Sequence, residues 1–346
     1  MVLSKYICSW MLLLPLSLGK VIFGGANEGG GDFDPSNLPG EFGVTYAFIN
    51  ESNTQYLLAA GANSFRISML MERMCPPETW LGNTFNETYY EKYMDAVNFI
   101  TNGGGHVIID PHNYYNGSVI GNSSDPHAAT TDQFAEFWHE IAKRTRFNRR
   151  VVYGIMNEPH DMPTELVLKN DQAAINAIRY AGARQLILVP GNGWTGASGW
   201  TQPSCEGCTP NSEVLTKIRD PAHNFAFDMH QYFDIDGSGT HDTCVSTTIG
   251  TERLYNATQW LKQNGYEAFL SEFGAGSNQL CFDCVNNVLD FLNENDEWIG
   301  WSYWAAGPMW GDYFQSIEPL REWSFTLLGR IAYSHIFPQK DTAGCS

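Results

Sequence analysis

Short, continuous apolar runs recur along the chain, and each is followed by a longer segment whose apolar positions return every three to four residues. The first pattern suits a strand buried on both faces and the second an amphipathic helix, so their alternation predicts βα units around a parallel sheet. The candidate strands are VIFGGA from Val21, NSFRIS from Asn63, HVIIDPH from His106 and VVYGIMNEP from Val151, then LILVPG from Leu186, FAFDMHQY from Phe225, AFLSEF from Ala268 and WIGWSYWAAG from Trp298. Helix-like segments lie between them, such as YYEKYMDAVNFI from Tyr89, DQFAEFWHEIAKR from Asp132 and DQAAINAIRYAGA from Asp171. Eight strands in an α/β chain make a closed (β/α)8 TIM barrel the leading architecture, here as a single domain. One segment stays ambiguous at this level, because FGVTYAFI from Phe42 alternates well enough to be the first strand instead.

Composition narrows the partners. The chain has 346 residues, 43% hydrophobic and 17% charged, enough to bury a core of barrel size. A formal charge of −18 disfavours nucleic acid or an anionic membrane surface, and a neutral substrate fits best. Residues 1–19 read as a secretory signal, since Lys5 precedes the apolar run from Ile7 to Leu18 and the small residues Ser17 and Gly19 are placed for cleavage. That run is shorter than the about 20 apolar residues a bilayer span needs. No later stretch is long and apolar enough to act as an anchor, so residues 20–346 are expected to form a soluble, exported catalytic domain; a monomer is expected. Sequons at Asn50, Asn86, Asn116, Asn122 and Asn256 agree with export. Loss of Cys8 with the signal leaves seven of the eight cysteines, so one must stay unpaired if the rest form disulfides. The C-x-x-C pairs Cys205/Cys208 and Cys281/Cys284 lie far apart for a compact zinc ribbon, and the compartment is oxidising.

Polar residues collect at the C-terminal ends of the candidate strands: Arg66, His112, Asn157, Glu158, His230, Tyr232, Glu272 and Trp304. In a barrel these ends converge on one face, where the loops build the active site. Any one of them could be a satisfied rim or core residue, but the set brings two carboxylates, two imidazoles, an arginine and an indole together. A carboxylate at the end of a core strand is costly to desolvate unless it is paired or used. Two carboxylates across a neutral substrate suggest glycoside hydrolysis, one protonating the leaving oxygen and the other attacking the anomeric carbon or activating water. Trp194, Trp200, Trp304 and Trp310 fall in loop-like places where aromatic rings could stack on sugars. The chain holds no G-x-S-x-G, no phosphate loop and no dinucleotide fingerprint, since the glycines of GGANEGGG are wrongly spaced.

The series GGANEGGGDF, NSFRISMLMERM, DPHNYYNGSVI, GIMNEPHDM, LVPGNGWTGA, MHQYFDIDGSGTHDTCVSTTIG, LSEFGAG and WAAGPMWGDYFQSIEP resembles glycoside hydrolase family 5, specifically its fungal-type secreted endo-β-1,4-glucanases. The resemblance spans essentially all of the mature chain and implies that Val21 to Ala26 is the first strand. It implies that Glu158 is the acid/base, Glu272 the nucleophile, and Asn157 a ligand of the sugar 2-hydroxyl. It implies further that Arg66 and Tyr232 hold Glu272, that His112 and His230 line the cleft, and that Trp304 forms a stacking floor. Trp194 and Trp310 are expected to bracket the scissile position. For the cysteines it implies Cys244 with Cys281, Cys284 with Cys345 and Cys205 with Cys208, leaving Cys75 as the odd thiol. The two glutamates would supply all the acid, base and nucleophile, so neither metal nor cofactor is expected. No carbohydrate-binding module on a Ser/Thr/Pro-rich linker is read in the chain, which favours soluble or amorphous β-glucans as substrate. A β-mannanase, another β-glucanase and a non-catalytic carbohydrate-binding barrel are the alternatives.

Overall fold

A computed structural model of the chain describes residues 21–76, 82, 84–114 and 129–318. Eight parallel strands close into a barrel in simple sequential order: β1 (Phe23–Glu28), β2 (Ser64–Met69), β3 (His106–Pro111), β4 (Val151–Gly154), β5 (Ile187–Val189), β6 (Phe225–His230), β7 (Ala268–Phe273) and β8 (Trp298–Ala306). The helices between them are α1 (Glu51–Ala59), α2 (Met71–Met74), α3 (Glu87–Asn102), α4 (Thr131–Thr145), α5 (Thr164–Tyr180), α6 (Asn211–Val214), α7 (Ile249–Asn264) and α8 (Gln279–Glu294). Each expected strand is present, although β1 runs two residues further along the chain than Val21 to Ala26. The alternating segment from Phe42 is not a strand; it turns back on itself through an isolated bridge between Phe42 and Tyr46. Its alternation reflects burial of Tyr46 and Phe48 against Tyr89 and Tyr93 of α3, not membership of a sheet.

The helices begin where short polar side chains can satisfy their free N–H groups. Thr130 and Gln133 form a reciprocal capping box at α4, and Asn50, Asn86 and Asn278 cap α1, α3 and α8. Two sequon asparagines, Asn50 and Asn86, therefore have their side-chain oxygens engaged as caps, while Asn256 is exposed on α7. Asn116 and Asn122 lie outside the described residues.

Period-two alternation divides the strands between two cores. Ile108, Val152, Leu188, Ala226, Phe269 and Ile299 point inward and plug the barrel as a cluster of their own. Their neighbours Ile109, Val151, Val189, Phe227 and Leu270 point outward into the larger core under the helices. Two residues beyond the plug, the same inward face carries Asp110, Asp228 and Ser271, all buried, and Arg66 lies buried beside them. The apolar plug is thus the floor beneath a polar layer at the C-terminal end of the barrel.

The structure joins Cys244 to Cys281, closing the loop after β6 onto the start of α8, and joins Cys205 to Cys208. Cys75 and Cys284 carry buried thiols. The expected Cys284–Cys345 pair cannot be placed, because Cys345 lies outside the described residues.

Candidate active site

Local backbone irregularities turn the polar ends of the strands toward one another. On β7, Leu270 pairs with Met229 but Glu272 pairs with His230, so one extra residue is inserted and Glu272 faces the cleft beside Ser271. On β8, Tyr303 pairs with Ala26 and Ala306 with Glu28, which inserts an extra residue around Trp304, whose peptide bond to Ala305 is cis. Beyond β4, Glu158 sits at φ +44°, a left-handed conformation that costs a residue with a Cβ about 1 kcal/mol. Such strain persists only where the surroundings impose it, and here it lifts the Glu158 carboxyl to the barrel mouth.

Arg66, 1% exposed, organises the layer. Its Nη1 donates to Glu272 Oε2 at 3.0 Å and to Asn27 Oδ1 at 2.9 Å, and its Nη2 donates to Asp110 Oδ1 at 3.0 Å and Asn157 Oδ1 at 2.5 Å. Burial alone would disfavour the charged guanidinium, but Asp110, Glu272, Asp228 and Glu158 more than offset this and raise its pKa. Glu272 has its second oxygen held by the Tyr232 hydroxyl, which donates to Oε1 at 2.6 Å. Its carboxylate is therefore aimed by two side chains from two other parts of the barrel.

Glu158 stands differently. Its Oε1 lies 2.8 Å from His230 Nδ1, and desolvation raises its pKa to about 7 despite the nearby His112 and Arg66 charges. His230 Nε2 lies 3.0 Å from Ser271 Oγ, and the Ser271 hydroxyl in turn bonds to Asp228 Oδ1. With Asp228 ionised, Ser271 gives its only proton to that carboxylate and must accept one from His230 Nε2. This assigns the neutral tautomer whose Nδ1 lone pair accepts the Glu158 proton. Burial lowers the His230 pKa, which agrees with a neutral ring. One carboxyl oxygen from each glutamate and His230 Nδ1 all lie within 4.8 Å of one another.

The other expected residues surround this centre. His112 bonds to Asp110 Oδ2 through Nδ1 at 2.8 Å, and Asn157 Nδ2 lies 3.2 Å from its Nε2. Burial disfavours the His112 cation while Asp32 and Asp110 favour it, and on balance its pKa is raised. Arg66 fixes the Asn157 amide with its nitrogen toward His112 Nε2, so the His112 cation is favoured by the carboxylates and not by that contact. The Trp304 ring is nearly parallel to His112, with centroids 5.5 Å apart. Trp194, 49% exposed, stacks on His160 at 4.7 Å and presents its other face outward. Trp310, partly buried, packs edge-on to Trp304 and face to face with Tyr313 at 4.6 Å, so one of its faces buttresses the floor. Trp200 is wholly buried under the helices.

Sequence reasoning passed over Asp110, Asp228 and Ser271, although the first two lie two positions before His112 and His230 on the same inward face. That spacing was the available signal. One cavity of about 710 Å³ is lined by Glu158, Trp194 and Tyr232, and another of about 970 Å³ by Asp32, His112 and Tyr114. A larger hollow of about 1080 Å³ opens at the opposite barrel end, among Phe23, His106 and Ile299, away from the paired glutamates. Among the described residues, two groups could be considered for a cation. The Glu158, His230 and Glu272 group faces the Arg66 charge, and Asp234 of the Asp234, Asp236 and His241 group already accepts from the N–H groups of Gly239, Thr240 and His241. Neither is arranged as a resident metal centre.

Residues 26–307 match the model of the cellulase family, glycosyl hydrolase family 5. The chain belongs to glycosyl hydrolase family 5. Within the family it is similar to Endoglucanase 1 of Robillarda sp. (strain Y-20), 45% identical over 86% of this chain and 81% of that protein. It is 42% identical to Endo-beta-1,4-glucanase B of Aspergillus niger over 85% of this chain and 84% of that one. Among solved structures it resembles that of XacCel5A in complex with cellopentaose, with a TM-score of 0.84 and 30% identity over 90% of this chain and 99% of the other.

Proposed function

We propose that this family 5 enzyme hydrolyses internal β-1,4-glucosidic bonds of glucan chains with retention, with Glu272 as nucleophile and Glu158 as acid/base. The observation that carries the mechanism is the close approach of the two carboxyl groups, with an oxygen of each inside a 4.8 Å triangle. Retaining glycosidases hold their carboxyls about 5–5.5 Å apart, whereas inverting ones need about 6.5–9.5 Å to admit a water. In the first step Glu272 attacks the anomeric carbon as the bond to the leaving oxygen breaks, and Glu158 gives that oxygen its proton. In the second, water attacks the same carbon while Glu158 takes a proton from that water, and Glu272 leaves as a carboxylate.

The supporting groups follow from their contacts. Arg66 and Tyr232 aim Glu272 and His230 keeps the proton on Glu158 until transfer, while the family resemblance supports Asn157 as the ligand of the sugar 2-hydroxyl and Trp304 as the floor. One cavity that takes in Glu158 and another that takes in His112 leave room for a chain longer than a single sugar, which supports endo action. The names of the relatives and the cellopentaose bound in the similar structure support a β-1,4-glucan substrate. The leader-like residues 1–19, and the lack of a membrane-crossing helix among the described residues, support export. Reducing-end release on carboxymethylcellulose, mixed-linkage glucan, mannan and xylan tests the substrate, with carboxymethylcellulose viscosity falling faster than ends appear. Faster cleavage of mannan than of every β-glucan would overturn that choice.

A further inference from the structure

Asn27 lies in the segment that closes the first strand, and the two-glutamate mechanism gives it no task. It is 1% exposed, yet every polar atom of its side chain is used. Nδ2 donates to the carbonyls of Ser271 on β7 at 2.9 Å and of Ser302 and Tyr303 on β8 at 3.1 and 3.2 Å. Oδ1 accepts from Arg66 Nη1 at 2.9 Å, the same nitrogen that reaches Glu272. The amide cannot be reversed, since a flip would set an oxygen against three carbonyls and an NH2 against a guanidinium.

Its position in the ladder gives these bonds their meaning. Asn27 falls between Ala26 and Glu28, where the β1–β8 register slips to accommodate the extra residue around Trp304. A bulge interrupts ladder pairing, and here a side-chain amide supplies donors to β8 beside the interruption. We infer that Asn27 is a positioning residue whose single amide locks Arg66 onto Glu272 and braces the β8 bulge that presents Trp304. This rests on the reading of Glu272 as nucleophile and Trp304 as floor. Only an amide can do both, because an aspartate offers no donor to the carbonyls and a leucine no acceptor to Arg66.

The test compares Asn27→Asp and Asn27→Ala with a remote control, Thr145→Ala, which loses a buried hydroxyl on α4 bonded to Tyr153. The readout is kcat/KM against pH on an aryl cellobioside. Glu272 is faced by Arg66 from β2, His230 from β6, Tyr232 after β6 and Glu158 after β4, with Asp110 and Asp228 behind them. In Asn27→Asp a third carboxylate joins Glu272 and Asp110 at the one guanidinium, so the acid limb moves up by about one pH unit or more. Misplacement of the floor and nucleophile lowers the maximum by about 10²-fold. Asn27→Ala lowers the maximum with a smaller shift of the limb, and Thr145→Ala leaves the limb in place. Should either Asn27 variant not fold, Asn27→Ser, which adds no charge, is read against the Asn27→Ala expectation, and a folded Asn27→Ser with an unchanged maximum overturns the inference. A folded Asn27→Asp with the acid limb unmoved overturns the inference. Covalent trapping of the wild-type enzyme with an activated fluoro-cellobioside separates the two levels: a label away from Glu272 refutes the underlying reading, whereas a label on Glu272 with an unmoved limb refutes only the role of Asn27.

Discussion

Replacing Glu28 by Gln should stabilise the enzyme in alkaline solution and leave it almost unchanged in acid. Glu28 ends β1 and is 1% exposed; its Oε1 accepts from the Thr54 hydroxyl at 3.0 Å, while its Oε2 has no partner. The carboxylate of Glu318 is close by, tied to the Gly307 N–H and to Asn53 of α1. Burial first, and the Glu318 charge second, push the Glu28 pKa from 4.5 to about 8. In the folded state Glu28 therefore keeps a proton that the unfolded chain gives up above pH 4.5, so its contribution to stability falls as pH rises from 4.5 and levels off above 8. The shift of about 3.5 units, at about 1.36 kcal/mol each, amounts to about 5 kcal/mol at pH 9 and almost nothing at pH 4. Gln keeps the shape and never ionises. Urea denaturation of both proteins at pH 4 and pH 9 measures the effect, with most of the gain expected at pH 9. An equal gain at both values, or none at pH 9, would refute the assignment of a buried neutral acid.

Three further outcomes follow from the site and its supports. The kcat/KM of the wild type should fall as pH rises through about 7, as Glu158 loses its proton, and Ser271→Ala should move that alkaline limb to lower pH. Without the Ser271 acceptor, His230 favours the tautomer that donates from Nδ1 to an ionised Glu158; an unmoved limb would contradict the tautomer assigned here. Trp194→Ala should weaken cleavage of carboxymethylcellulose more than that of a short aryl glycoside, because the exposed ring lies outside the catalytic centre; equal losses would contradict a platform role. Cys244→Ser together with Cys281→Ser opens a loop with a sequence separation of 37 and should lower stability by about 4 kcal/mol, read from the denaturation midpoint.

The barrel was legible because its strands are buried on both faces and separate cleanly from amphipathic helices. The alternation of Ile108, Asp110 and His112, or of Ala226, Asp228 and His230, even contains the ascent from plug to polar layer. What alternation cannot show is a bulge. By strict period two, Phe269 and Ser271 face inward and Glu272 outward, yet the extra residue on β7 brings Glu272 into the cleft beside Ser271. The same holds for Trp304 on β8, and for Glu158, whose left-handed backbone continues no strand. Those three residues were found through the family resemblance and their place at strand ends, not through periodicity. Trp310 shows the reverse limit, since a tryptophan in a loop reads alike whether its ring faces sugar or Tyr313. The Phe42 segment misleads for a related reason: aromatic residues packed on α3 alternate as a strand would.

The central claim, that Glu272 attacks the anomeric carbon while Glu158 serves as acid/base, is tested most directly by trapping the intermediate. The enzyme would be inactivated with an activated fluoro-cellobioside, digested with pepsin, and the labelled peptide sequenced by mass spectrometry. The account predicts one glycosyl group per chain, esterified to the side chain of Glu272 within LSEFGAG. A label on Glu158 or any other residue, or complete hydrolysis to the α-anomer of the free sugar with no covalent species, would contradict it.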